Sequence, residues 1–252
     1  MHTLSLASAL MVGAAFALPL VAGAQAAELQ LIAGGGMTAP LKELIPQFES
    51  ASGHKVAVRF AATPELIKMA TGTPVDVAVV PSEVFRDAGA KAQFVAGPTT
   101  DIARVGFGVA VRTGAPKPDI GSSDAFRQAL LKAKAVSTLP ASAAGAQVLR
   151  MFERLGIAEE VKAKTKAATT PAQVVEAVAK GEADLAVFLS NVLIAPGVDL
   201  VGPVPAELQQ ELVFTASVAA NAKEADAAKA FIAFLQTQAA KSVIKAKGMS
   251  PS

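Results

Sequence analysis

Three times in this chain a short apolar run stops at a threonine and a proline that read as a helix start: Thr38-Ala-Pro40, Thr63-Pro64 and Thr170-Pro171. A fourth junction, Leu139-Pro-Ala-Ser142-Ala-Ala-Gly145, has the same character. The first turn of a helix carries unpaired backbone N–H groups and the positive end of the helix dipole. Several such turns around one cleft therefore make an anion or polar-ligand site without charged side chains. Catalytic sets are scarce by comparison. The chain has no G-x-S-x-G elbow, no H-E-x-x-H pair and no cysteine, and its histidines are His2 and His54. Acyl transfer and metal hydrolysis by familiar routes are disfavoured. A hydrolase using Ser142, with the Gly34 loop as oxyanion hole, is the one enzymatic alternative. The chain otherwise reads as a non-enzyme that needs no cofactor and no metal.

Composition narrows the partners. Lys and Arg number 23 against 21 Asp and Glu, a formal charge of +2 spread without a basic run, which argues against nucleic acid. Trp and Tyr are absent and 12 Phe are the only aromatic rings, so stacking on bases or sugars has little support. The expected ligand is small and not sugar-like. Met1 to Ala26 contains no Asp, Glu, Lys or Arg and runs through an apolar stretch to Ala24-Gln-Ala26, which reads as a secretory signal cut after Ala26. The alternative is an uncleaved anchor, because the usual basic residues before the apolar stretch are missing. Lack of cysteine removes disulfides, thiolate chemistry and lipid anchoring through an N-terminal cysteine. A periplasmic protein is expected. Its remaining histidine, His54, sits in Ser52-Gly53-His54-Lys55 and reads as a solvated loop residue.

The elements that must position these junctions follow from periodicity. Glu28–Ala33 is a strand, Gly34–Gly36 a turn, and Leu41–Ser50 an amphipathic helix with Leu41, Leu44, Ile45 and Phe48 on one face. The glycines either bring backbone close to a ligand or simply allow a tight turn. Strand Lys55–Phe60, helix Pro64–Ala70 and the apolar strand Val75–Val80 complete a first α/β module. Arg104–Arg112 reads as one strand and Ser123–Lys134 as a helix. Next come strand Ala135–Leu139, helix Gly145–Leu155, strand Lys164–Ala168, helix Pro171–Lys180 and strand Ala183–Leu189. Leu212–Val218 is a returning strand, and Glu224–Ala246 a helix interrupted near Gln236-Thr-Gln238. Helix starts at the carboxyl ends of strands are where open parallel sheets bind ligands.

Asp76 and Asp184 stand inside apolar strands and are expected to anchor neighbouring loops. Arg59, Arg104 and Arg112 flank strands, on the surface or in the cleft; their direction is open at this level.

Leu31–Leu41 with Ile45-Pro-Gln-Phe-Glu-Ser50, Thr73–Ser82, Pro140–Gly145 with Glu153-Arg-Leu-Gly156, Val178–Ala186 and the terminal Ala228–Gly248 helix resemble, in order, the periplasmic molybdate-binding protein family of ABC importers. The resemblance spans nearly the whole chain after the signal. It implies an α/β, two-lobed type II periplasmic-binding-protein fold, each lobe a mostly parallel sheet flanked by helices and joined by two crossovers. Lobe I is expected over 28–106 plus 212–252 and lobe II over 107–211, with crossovers near Gly106–Val111 and Val204–Phe214. A monomer closing on a small anion and docking on a membrane permease follows; a periplasmic sensor module is the alternative.

The ligand contacts that the resemblance implies begin with Gly35, Gly36, Met37 and Thr38 in the first loop and Ala62 and Thr63 in the second. Ser142, Ala143, Ala144 and Gly145 follow at the third junction, then Thr170 and Pro171, and Leu189 and Ser190 at the end of the last strand of the second module. These positions depart from the molybdate-binding pattern. Gly36 replaces a ligand-bonding serine, Ala62-Thr63 replaces paired serines, Leu189 stands at a tyrosine position, and Pro171 removes a backbone donor. Each unmade bond to a buried ion costs about 1–3 kcal/mol. Thr38, Thr63, Ser142, Thr170, Ser190 and Asn191 could supply other donors. The ligand class stays open between a molybdate-like oxyanion and a small organic anion.

Overall fold

The computed structural model describes residues 26–94 and 98–252. The signal expected over Met1–Ala26 lies outside these residues apart from Ala26. Among the described residues no helix is long and apolar enough to cross a membrane.

The chain opens with β1 (Glu28–Gly34), α1 (Thr38–Ser52), β2 (Lys55–Ala61), α2 (Thr63–Gly72) and β3 (Val77–Pro81). α1 buries Leu41, Leu44, Ile45 and Phe48 on one face and stops at Gly53, whose φ of 76° suits glycine. α3 (Ala88–Ala92) leads to β4 (Thr100–Val105) and β5 (Phe107–Arg112). Then come α4 (Ser123–Lys132), β6 (Val136–Thr138), α5 (Ala143–Arg154), α6 (Ala158–Lys162), β7 (Thr165–Ala167), α7 (Pro171–Ala179) and β8 (Leu185–Leu189). The chain closes with β9 (Val198–Pro203), β10 (Leu212–Val218), α8 (Ala225–Leu235), α9 (Gln238–Ala246) and β11 (Ser250–Pro251).

Two sheets result, ordered β11-β4-β10-β3-β1-β2 and β7-β6-β8-β5-β9. Each has a parallel trio, β2-β1-β3 in one and β7-β6-β8 in the other, extended by antiparallel strands. β3 and β8 are buried at every position, which is why they read as unbroken apolar runs. Each sheet with its flanking helices forms one lobe.

The run Arg104–Arg112, expected as one strand, is two strands in different sheets. The break is Gly106, whose carbonyl accepts from Ser190 N–H at 3.0 Å. Beside it, Gln209 pairs with both polar groups of the Phe107 backbone: Phe107 N–H donates to its Oε1 at 2.7 Å and its Nε2 donates to the Phe107 carbonyl at 3.0 Å. A side-chain amide thus does the work of a neighbouring strand where the chain changes sheets, and it ties the outgoing crossover to the returning segment. A Cβ on Gly106 would lie 3.0 Å from Gln209 Oε1. The final helix, expected with an interruption near Gln236-Thr-Gln238, divides there into α8 and α9, and Thr237 caps α9 by accepting from Ala240 N–H at 3.3 Å. The short elements α3, α6, β9 and β11 had no clear periodic signal.

Asp76 is 4 % exposed and anchors loops as expected. Its Oδ2 accepts from Gln30 N–H at 2.8 Å, and its Oδ1 from Lys223 and Glu224 N–H at 2.8 and 3.1 Å. Asp184 differs in being exposed, just before β8, although it too accepts from a loop amide, that of Lys134. His54 is a half-buried loop residue rather than a fully solvated one: its Nδ1 accepts from Ala27 N–H at 3.1 Å and its ring lies 6.0 Å from that of Phe48.

Candidate functional site

The helix starts of both lobes meet between the two sheets, but their threonines do different jobs. Thr170 is a true cap, its hydroxyl oxygen accepting from Gln173 N–H at 3.3 Å. Ser142 likewise accepts from Gly145 N–H at 2.9 Å while donating to the Leu139 carbonyl at 2.8 Å. Thr38 is the first residue of α1 and donates to the Gly35 carbonyl at 2.8 Å. Thr63 caps nothing on its own helix; its Oγ1 reaches across the cleft and accepts from Ala143 N–H, in the first turn of α5, at 2.9 Å. A donor that the anion-site reading assigns to a ligand is therefore held by the protein's own hydroxyl.

Around this bond lies an inner slot of about 30 Å³, lined by Gly35, Gly36, Ala62 and Thr63 from one lobe and by Ser142, Ala143, Ala144, Pro171 and Leu189 from the other. That is room for little more than one or two waters. The slot is full because apolar groups press on the glycine loop. A Cβ on Gly35 would stand 2.6 Å from Pro171 Cγ, and one on Gly36 would stand 2.7 Å from Phe214 Cζ and 2.9 Å from Leu189 Cδ1. The close approach that these glycines permit is to side chains. Gly36→Ala is accordingly expected to cost about 1–3 kcal/mol by forcing Phe214 and Leu189 aside. Urea denaturation would measure it, and a second change, Phe214→Leu, should recover part of the loss.

A larger cavity of about 580 Å³ opens just outside the slot, between the same lobes. Lobe I contributes Gly35, Gly36, Thr38, Lys42, Phe60 and Ala62, and lobe II contributes Thr169, Thr170, Pro171, Val175, Asn191 and Val192. Lys42 is its one charged lining residue and makes no ion pair among the described residues. Asn191 is 6 % exposed; its Nδ2 donates to the Gly36 carbonyl at 2.8 Å, which latches the lobes, and its Oδ1 has no partner. A weaker link, Gln147 Nε2 to Glu83 Oε1 at 3.3 Å, lies elsewhere on the lobe interface.

Of the residues expected from sequence, eleven line one or both cavities and three line neither. Met37 is fully buried in the hydrophobic core. Gly145 is buried in the first turn of α5, where a Cβ would overlap the Leu139 carbonyl oxygen. Ser190 spends its N–H on Gly106 at the crossover. Sequence reasoning missed Lys42 and Phe214. Lys42 could have been found, since it follows Thr38 by one helical turn on the same face. Phe214 could not, because nothing local marks it as facing the glycine loop.

The arginines are elsewhere. Arg59 donates to the Pro74 carbonyl at 3.0 Å, Arg104 pairs with Asp101 at 3.2 Å, and Arg112 lines a separate hollow with Lys132 and Asp184. Among the described residues Ser142 has no imidazole beside it: His54 is bonded to Ala27, at the opposite end of β1 from the glycine loop, roughly 20 Å along the strand. Among the described residues no cluster of three or more His, Asp or Glu is placed to hold a metal.

Comparison with known proteins agrees with this architecture. The chain is 31 % identical over 242 residues to an aconitate isomerase of a Pseudomonas species, covering 92 % of this chain and 91 % of that protein. It is 27 % identical over 239 residues to the molybdate-binding protein ModA of Azotobacter vinelandii, covering 91 % and 92 % respectively. The solved periplasmic molybdate-binding protein of Azotobacter vinelandii superimposes with a TM-score of 0.73 at 18 % identity, over 88 % of this chain and 98 % of that one. A family model described as bacterial extracellular solute-binding protein matches residues 29–250. Since that match runs from the second residue of β1 to the first of β11, the chain belongs to the bacterial extracellular solute-binding protein family and is molybdate-binding-like in its fold.

Proposed function

We propose that this protein is the periplasmic substrate-binding component of an ABC importer and that it captures a small organic anion between lobe I (28–106 plus 212–252) and lobe II (107–211). The observation that carries this reading is the contrast between the two interlobe spaces. The inner slot, at about 30 Å³, is plugged by Leu189, Phe214 and Pro171, whereas the outer cavity offers about 580 Å³, apolar walls and the single charge of Lys42. A tetrahedral oxyanion needs converging donors in a tight shell, and here Thr63 occupies one donor and Pro171 removes another. An anion with a carbon skeleton matches the outer cavity better. The loaded, closed protein would then dock as a monomer on a membrane permease.

Thermal shift of the chain without its signal, against molybdate, sulfate and a series of small carboxylates, tests the reading. A matching ligand at a hundred times its Kd stabilises by about 2.7 kcal/mol, or about 5–11 °C for a chain of this size. A shift with carboxylates and none with molybdate or sulfate is expected. A shift with molybdate alone would return the oxyanion reading, and a flat panel would overturn capture altogether.

The likeness to an aconitate isomerase favours a second reading, isomerisation of an unsaturated carboxylic acid in the same cavity. Proton transfer at carbon needs a base beside the substrate, and among the described residues Lys42 is the only titratable side chain in the cavity lining. Proton NMR of aconitate incubated with the protein separates the two: an unchanged spectrum leaves binding alone.

A further inference from the structure

We infer that Glu83 of lobe I and Gln147 of lobe II form a proton-dependent clasp: the closed cleft takes up one proton on Glu83 and opens as that proton is lost. This goes beyond the proposed function and needs from it only that the lobes open and close. Glu83 lies in the helical turn Ser82–Arg86 that follows β3, and Gln147 lies one turn after Ala143 in α5. Pro81, at the end of β3, and Ala143 both line the inner slot, so the pair stands beside it.

The pair is only half satisfied. Gln147 Nε2 donates to Glu83 Oε1 at 3.3 Å, which is long for a bond to a carboxylate. The other arm of each group, Glu83 Oε2 and Gln147 Oε1, is buried and has no partner among the described residues. Both arms are acceptors while the carboxyl is ionised, so burying them in the closed form is unfavourable. One proton from solvent changes this. On Oε2 it makes an O–H that donates to Gln147 Oε1, and the two planar groups then share a ring of two hydrogen bonds. Once the lobes part, water serves every arm and the proton gains nothing. Closure is therefore favoured as pH falls and lost as pH rises.

The surroundings supply no other partner. Glu83 has no ion pair among the described residues. A divalent cation takes about six oxygen ligands, and among the described residues no cluster of three or more acidic or histidine side chains is placed to hold one. The turn packs against α2, α3, β3 and β10, of which β3 and β10 carry no charge. On α2, Glu65 and Lys68 pair with each other at 3.5 Å, and ahead of α3 Asp87 accepts from Ala90 N–H at 2.8 Å. On α5, Arg154 donates to the Glu207 carbonyl at 2.6 Å. Arg86, Lys91, Arg150 and Glu153 are exposed, where water screens them.

The lack of cysteine makes a direct test available. Gln47→Cys on α1 and Gln128→Cys on α4, both exposed, place one spin label on each lobe. Pulsed spin resonance at about pH 4.5 and about pH 8, on either side of clasp protonation, reads the short and long separations as closed and open populations. The closed-to-open ratio is expected to be about threefold or more higher at the lower pH. Glu83→Gln supplies a permanent N–H in place of the O–H, so it should stay as closed at both pH values as the parent is at the lower one. Gln147→Leu should lose the pH response, and the control His54→Gln should keep it, since His54 lies at the far end of β1. Equal populations in the parent at both pH values, a Glu83→Gln variant that still responds, or a His54→Gln variant that no longer does would each overturn the inference. All three leave anion capture standing, because the thermal-shift panel tests that separately.

Discussion

Asp76→Ala is expected to destabilise the protein by about 3–5 kcal/mol. The carboxylate is 4 % exposed and accepts from three backbone amides, those of Gln30, Lys223 and Glu224. Alanine would leave all three donors without their acceptor at a site with little water. Bonds to a charged acceptor are worth roughly 1.5–3 kcal/mol each, and partial exposure of the amides keeps the total below their sum. The amides come from β1 and from the segment that leads into α8, so the loss loosens the sheet from its C-terminal helices. At about 2–4 °C per kcal/mol the melting temperature should fall by roughly 6–20 °C. Asp76→Asn should fall less, because one oxygen remains while the amide nitrogen faces a donor. Urea denaturation measures both, and a loss below about 1 kcal/mol for Asp76→Ala would refute the anchoring role.

Gly145→Ala should cost about 3 kcal/mol or more, through the opposite fault of too much volume. The added Cβ would overlap the Leu139 carbonyl oxygen and stand 2.8 Å from Pro140 Cα. These are backbone atoms at the junction of β6 and α5, so no rotamer change relieves the contact. The helix must move, and it carries Ser142, Ala143 and Ala144 at the inner slot. The bond from Ala143 N–H to Thr63 should weaken with it, so amide exchange at Ala143 should accelerate under conditions where the fold persists. Gly72→Ala is the control: a Cβ there meets nothing within 4 Å, and its effect should be near zero or slightly stabilising. Equal stability of the two variants would contradict the packing described for Gly145.

Both residues show what was readable beforehand. A carboxylate inside an apolar run must be bonded, so the anchoring role of Asp76 followed from residue type alone. Gly145 could be assigned to a helix start, yet its reason for being glycine could not, because the obstructing atom belongs to a strand end six residues earlier. The same division runs through the fold. β3 and β8 were legible as unbroken apolar runs, and α1 through its buried face. Periodicity did not show the break at Gly106, although the family resemblance implied a crossover near it, since the Gln209 that pairs with Phe107 is distant in sequence and arrives only after the chain returns.

At the site, the sequence by itself determined that helix starts gather at strand ends and that glycines line the first loop; the family resemblance added that several donors of the molybdate pattern are replaced. Those properties are local: capping, backbone freedom and the missing N–H of proline act within a few residues. Only the tertiary structure decided what fills the glycine loop, which hydroxyl takes the Ala143 amide, and where open space remains. Phe214, Leu189 and Pro171 meet the loop from separate elements, and Lys42 and Asn191 face one cavity from opposite lobes. Such meetings are set by how the two sheets dock, and packing between distant segments leaves no periodic trace in either one.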